Sequence, residues 1–294
     1  MAETSPKSAR ARDAALAVEQ RVKAAGTSFY WAMRFQPEAK RRALFAVYAF
    51  CREVDDIADS NAKPAVKVKR LADWRRAIEN LFKGKAANLI ARALLPVVKD
   101  FKLEKKAFLA IVAGMDMDAR GPIVAPPQKT LDLYCARVAC AVGLLCIRVF
   151  GEAGKEGAML ADALGRALQL TNILRDLRAD ADTGRLYLPR ELLKKHGIRD
   201  FAPEKVLRHP KLETVCLEVA ALAGAEFERA EEAMARCDAR AVRPAAIMKD
   251  VYKAALARLR TRGFSPAAVN RPERALSRPA RKLEKLFIAL KSLA

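Results

Sequence analysis

The stretch Tyr48-Ala-Phe-Cys-Arg52-Glu-Val-Asp55-Asp56-Ile-Ala-Asp59 decides how this chain folds. Positions 48, 52, 55 and 59 are spaced by four, three and four, so on an α-helix Tyr48, Arg52, Asp55 and Asp59 share one face. Leu44, Phe45, Val47, Phe50, Cys51 and Val54 fill the other faces. Asp56 stands about 100° round from Asp55, at the edge of the polar stripe. The segment therefore reads as a mostly buried helix with one acidic stripe.

A second segment repeats the design: Gln169-Leu-Thr-Asn172-Ile-Leu-Arg175-Asp176-Leu-Arg-Ala-Asp180. Gln169, Asn172, Asp176 and Asp180 are spaced by three, four and four, among Leu164, Leu168, Leu170, Ile173, Leu174 and Leu177. Either stripe alone would read as the solvent-facing side of an ordinary amphipathic helix. Two such stripes, each pairing carboxylates at i,i+4 beside an arginine, point to chemistry instead. Crowded carboxylates in an apolar setting repel one another and resist ionisation. Mg²⁺ relieves both problems, because it takes oxygen ligands, needs few carboxylates and keeps positions open for water and phosphate oxygens. Interspersed guanidinium groups suit phosphate, which they bind bidentately. The residues alone thus predict a Mg²⁺–diphosphate site facing an apolar cavity, and a substrate with a charged head and an apolar body.

Outward from these segments, helical signals are nearly continuous. Pro37-Glu38 opens the first helix, with an acidic residue in its first turn, and Asn61 and Pro64 follow its end. Helices are expected over 67–81, 86–100, 104–117, 131–150, 156–180, 211–237 and 244–260, with a last amphipathic one over 281–290. Residues 182–189 read as a loop. No β-alternation persists and no linker separates domains, so the expectation is one all-α domain around an apolar interior, residues 21–294, behind a flexible basic tail, residues 1–20.

With 52% apolar residues the 294-residue chain can bury a sizeable core. Its net charge of +21 asks for an anionic partner: nucleic acid, a membrane surface or a phosphorylated substrate. The six cysteines form no C-x-x-C pair and read as small buried hydrophobes of a reducing compartment. Only His196 and His209 are present, which argues against a histidine-ligated zinc site. No segment reaches the roughly 18 uninterrupted apolar residues that a membrane span needs, and the polar start does not read as a signal peptide.

On the two acidic segments, together with Ser28-Phe-Tyr-Trp-Ala-Met33, Gly114-Met-Asp-Met-Asp118, Tyr134-Cys-Ala-Arg-Val-Ala139 and Gly184-Arg-Leu-Tyr-Leu-Pro189, the chain resembles the squalene/phytoene synthase family of head-to-head prenyltransferases. Its wording looks most like the presqualene diphosphate synthase branch of bacterial hopanoid pathways. The resemblance implies the isoprenoid synthase fold, with helices around a central apolar cavity that binds two farnesyl diphosphates. It implies two or three Mg²⁺ ions, replaceable by Mn²⁺, on Asp55, Asp56, Asp59, Asn172, Asp176 and Asp180. By the same resemblance Asp55, Asp59, Asp176, Asp180 and Arg52 carry catalysis. Ala25, Gly26, Thr27, Ser28, Tyr48, Arg52, Arg137, Gln169, Arg175 and Tyr252 would contact substrate.

One departure stands out. Squalene-making relatives often carry a tyrosine within the stretch matching Cys135 to Val138; here Arg137 is present and is expected to face a diphosphate. No side-chain general base is assigned, and released diphosphate is a candidate. Squalene, hydroxysqualene and phytoene synthases of the same family are alternative readings. A basic helical nucleic-acid-binding protein is the non-enzyme alternative. It lacks zinc-finger, RNA-recognition and basic-zipper patterns, and its charges are scattered, so no nucleic acid is expected as a partner. The expected location is cytoplasmic, with peripheral contact at an anionic inner-membrane face and with downstream hopanoid-pathway enzymes.

Overall fold

The computed structural model describes residues 6–25 and 30–270. Helix follows helix: α1 (Pro6–Ala25), α2 (Tyr30–Arg34), α3 (Glu38–Asp59), α4 (Pro64–Leu81), α5 (Leu89–Asp100), α6 (Lys105–Ala119) and α7 (Gln128–Cys135). One turn of π-helix (Ala136–Cys140) then joins α7 to α8 (Ala141–Phe150). After it come α9 (Lys155–Arg175), α10 (Leu177–Asp182), α11 (Arg190–Lys195), α12 (Pro203–Leu207), α13 (Leu212–Met234), α14 (Arg243–Arg262) and α15 (Pro266–Val269). Among the described residues there is no strand; Val124 and Leu186 form a single parallel bridge between two loops.

The acidic helix α3 lies where its pattern predicts. Pro37 caps it, Glu38 opens its first turn, and Leu44, Phe45, Val47, Phe50 and Val54 are buried. Phe50 sits at a three-helix junction. Its ring meets Trp74 of α4 edge-on at 5.4 Å and Phe108 of α6 at 5.2 Å. Aromatic pairs in this geometry add about 1 kcal/mol beyond the area they bury. They fix α3 against the two helices that flank its acidic end.

Helix α9 runs between α13 on one side and α8 with the π-turn on the other. Close approach depends on two glycines. A Cβ on Gly165 of α9 would lie 2.7 Å from the Cα of Cys140, and one on Gly114 of α6 would lie 2.6 Å from Cγ1 of Val138. The π-turn is clasped between α6 and α9 at these points, and a π-turn is a local irregularity that recurs at functional sites.

Three expectations change. Residues 6–20, read as part of a tail, belong to α1, whose Ala14, Val18 and Val22 are buried against the core with α3 and α5 as neighbours. Apolar residues four apart supply that seam despite the polar composition around them. The helix expected over 156–180 breaks at Asp176, and the one over 131–150 contains the π-turn. The stretch Gln128–Phe150 is also long and apolar enough to cross a membrane by length and composition. Leu131, Leu145, Ile147 and Val149 within it are buried, and it packs on α3, α6 and α9 as a core helix. The expected helix over 281–290 lies outside the described residues.

Candidate active site

Five chain segments meet at a cleft of about 550 Å³. The C-terminal turn of α3 contributes Asp59, the end of α6 Asp118, the α9–α10 junction Asp176 and Asp180, and the loop after α10 Arg185; Lys67 of α4 stands at its rim. Helices α3 and α6 thus present acids at their carboxyl ends, where the macrodipole is already negative. Such placement is unfavourable by itself and needs cations. Lys67 partly answers it by donating from Nζ to the Ala58 carbonyl at 2.8 Å.

The second motif keeps its spacing through a helix break. Asp176 leaves helical geometry (φ −98°, ψ 9°). Its amide still donates to Asn172 at 2.8 Å, and the Asp180 amide donates to Asp176 at 2.8 Å. The i→i−4 ladder therefore survives at the three motif positions, which stay on one side.

The carboxylates are less buried than an apolar helix suggests. Side chains of Asp55, Asp59 and Asp176 are 42%, 54% and 39% exposed, the last two lining the cleft. Crowding still shows. Partial burial and then Asp59 push Asp55 up to about 6, against the pull of Arg52. Burial and then Asp176 push Asp180 up to about 7, with Arg185 opposing.

The arginines expected to bind phosphate sit on the acids themselves. Arg52 donates to Asp55 at 3.2 Å and pairs with Asp56 at 2.6 Å. Arg175 grips Asp176 with two hydrogen bonds, 2.8 and 2.5 Å, and also engages the buried Tyr252. Arg185 reaches across from the second motif to Asp59 at 2.8 Å.

Asp118 is the buried acid of the cleft. Tyr187 donates to one of its oxygens at 2.6 Å and Tyr134 to the other at 2.9 Å. The two rings stack with centroids 5.0 Å apart. Burial raises its pKa, and the two phenols moderate the rise.

Can these residues hold a divalent cation? Among the described residues no three Asp, Glu, His or Cys side chains form a preassembled metal cage. The donor set is nonetheless all oxygen, and one member is unsatisfied: Oδ1 of Asn172 is sealed from solvent with no hydrogen-bond partner among the described residues. An orphaned buried acceptor costs about 1–3 kcal/mol. An amide oxygen is also a Mg²⁺-type ligand. The site fits a cation that arrives with its anionic ligand and completes the coordination.

The sequence pattern of the squalene/phytoene synthase family matches residues 22–280, which includes both motifs and the loop carrying Arg185. This chain belongs to that family. A presqualene diphosphate synthase of Sinorhizobium fredii is 44% identical over 86% of this chain and 90% of its own length. One from Rhodopseudomonas palustris is 46% identical over 82% of this chain and 86% of its own. The crystal structure of a dehydrosqualene synthase in complex with ligand superposes with a TM-score of 0.81 at 26% identity, covering 96% of this chain and 97% of that one. The fold is thus the all-α isoprenoid synthase fold.

Within this family member the structure gathers Asp59, Asp176 and Asp180 on one cleft. Asp55 and Asp56 lie one turn back along α3, and Arg175 with Tyr252 forms a neighbouring pair. Tyr48, Gln169 and Arg137 are partly buried and do not line this cleft; Arg137 rides on the π-turn. Ala25 ends α1, while Gly26, Thr27 and Ser28 lie outside the described residues. Sequence reasoning missed Asp118, Tyr134, Tyr187, Lys67 and Arg185. Asp118, Tyr134, Arg185 and Tyr187 lie in stretches that carry the family resemblance, but nothing in their spacing marks them as neighbours of the acidic motifs, and nothing local marks Lys67.

Proposed function

We propose that this chain, working as one prenyl-synthase domain, is a presqualene diphosphate synthase that joins two farnesyl diphosphates head to head. The observation carrying this reading is the convergence of both motif ends, Asp59 with Asp176 and Asp180, on one cleft. The likeness to relatives of that name supports the choice of product.

Asp55, Asp56 and Asp59 on one side and Asn172, Asp176 and Asp180 on the other would hold Mg²⁺, with Mn²⁺ as a substitute. When bound, the cations supply electrostatic stabilisation of diphosphate as a leaving group. Arg52 and Arg175, which pair with Asp55, Asp56 and Asp176, would share the charge of the diphosphate. The C1–O bond of one farnesyl diphosphate breaks, and its electron pair leaves on diphosphate. The C2=C3 π-electrons of the second molecule form the new bond to that C1. Loss of a proton closes the cyclopropane, and released diphosphate is the proposed acceptor of that proton. The buried apolar side chains of α3, α6 and α9 would keep water from the cation.

Mass spectrometry of products from farnesyl diphosphate and Mg²⁺, first without and then with NADPH, tests the reading. Presqualene diphosphate is expected under both conditions. Squalene formed only when NADPH is added would overturn it, as would turnover of geranylgeranyl diphosphate alone. The enzyme is further proposed to work in the cytoplasm, docking its basic surface on anionic membrane near downstream enzymes of the pathway. Co-sedimentation with anionic vesicles that is released by salt is the expected result.

A further inference from the structure

Arg185 is mounted differently from the other arginines of the cleft. Its own amide donates to the Asp180 carbonyl at 2.8 Å. The next residue, Leu186, donates to Ile123 and accepts from Ala125, each at 2.8 Å. Gly184 makes the preceding turn with φ +76°, a conformation glycine adopts without strain. The backbone is therefore held on both sides, and only the side chain is long enough to move. That side chain is 17% exposed, far less than the 54% of Arg52, and it spans to Asp59 of the opposite motif at 2.8 Å. Asp59 itself is 54% exposed, so the pair is weak enough to be exchanged.

We infer that Arg185 is an exchange cation: it occupies the Asp59 carboxylate until a metal–diphosphate complex enters, then passes from Asp59 to the diphosphate oxygens. This rests on the proposed diphosphate reading of the cleft. Two facts of chemistry drive the swap. A divalent cation outcompetes one guanidinium for a carboxylate, and a guanidinium released beside a diphosphate gains a bidentate anion. Metal alone must displace Arg185 and leave it only the field of Asp118, which two tyrosines already cover, and of Asp180. Diphosphate alone must pull Arg185 from Asp59 and leave that carboxylate uncovered. Each ligand therefore helps the other, and the coupling is reciprocal by linkage. The enzyme would assemble its cations only around an anionic substrate.

The test is Mn²⁺ binding, followed by calorimetry or electron paramagnetic resonance, with and without inorganic diphosphate. In the wild-type protein, Mn²⁺ alone should bind weakly and tighten about 10-fold or more with diphosphate. In R185Q, Mn²⁺ alone should bind about 3- to 10-fold tighter, and the gain from diphosphate should shrink about 10-fold. D59N supplies the reciprocal arm, since it frees Arg185. It should bind diphosphate without metal several-fold tighter than the wild type does, by about 3-fold or more.

Unchanged or weaker Mn²⁺ binding in a folded R185Q would overturn the exchange while leaving the diphosphate site intact. So would D59N with no gain for diphosphate, and that arm decides alone if R185Q does not fold. Failure of the wild type to bind Mn²⁺ even with diphosphate would remove both the exchange and the function proposed above.

Discussion

The two acidic motifs look alike in sequence and differ in the folded protein. Helix α3 runs unbroken to Asp59, and its acids stand half-exposed, two of them paired with Arg52 of their own helix. The second motif sits on a helix that breaks at Asp176, and it holds both the sealed Asn172 oxygen and the acid with the higher pKa, Asp180. The carboxylates of the two motifs are about equally exposed, 42% at Asp55 and 39% at Asp176, but the second motif follows Gly165, where α9 packs directly on the π-turn.

Four experiments break or sharpen that contrast. Asp176→Ala and Asp59→Ala should each reduce turnover of farnesyl diphosphate by about 10³-fold, measured as initial rates at saturating Mg²⁺. Losses under about 10-fold in both would place the chemistry elsewhere. Next in size, Gly165→Ala should lower unfolding stability by about 3 kcal/mol, because its Cβ would strike the Cys140 backbone. Gly114→Ala should lose only about 1 kcal/mol, because the Val138 side chain it meets can rotate. Denaturant titrations of the two variants give the comparison, and equal losses would argue that α9 is no more tightly seated than α6.

The pH dependence comes third. The Asp180 carboxyl has a folded pKa near 7, above its unfolded value, so the native state binds the extra proton between about pH 4 and 7. The group therefore destabilises the metal-free protein fully above pH 7, and the penalty is relieved progressively as pH falls from 7 to about 4. Asp180→Asn should raise metal-free stability at pH 8 by about 1–2 kcal/mol after allowance for partial solvation, and should have little effect near pH 4. A variant equally stabilised at both values would assign the gain to something other than ionisation. The smallest effect concerns the orphaned oxygen: Asn172→Leu should stabilise the metal-free protein by about 1 kcal/mol while abolishing turnover. Destabilisation in thermal melts would mean that Asn172 has a structural partner.

Much of this was readable in the sequence for a physical reason. Carboxylates at i,i+4 within an apolar run are a local pattern, and helical geometry alone puts Asp55 with Asp59 and Asp176 with Asp180 on common faces. Pro37 before Glu38 likewise marked the start of α3. The break at Asp176 left no trace, since Leu177 continues the apolar period without interruption. Residues 6–20 read as a tail because polar composition outweighed the four-residue spacing of Ala14, Val18 and Val22.

What the sequence by itself determined is therefore the all-α class and the two acidic stripes, both set by interactions within a few residues along the chain. Only the tertiary structure decided which cations cover those acids. Arg185 meets Asp59 across 126 positions, and Tyr187 reaches Asp118 across 69. Such contacts depend on how α3, α6 and α9 pack, and no periodicity within one helix encodes the partner that packing brings to it.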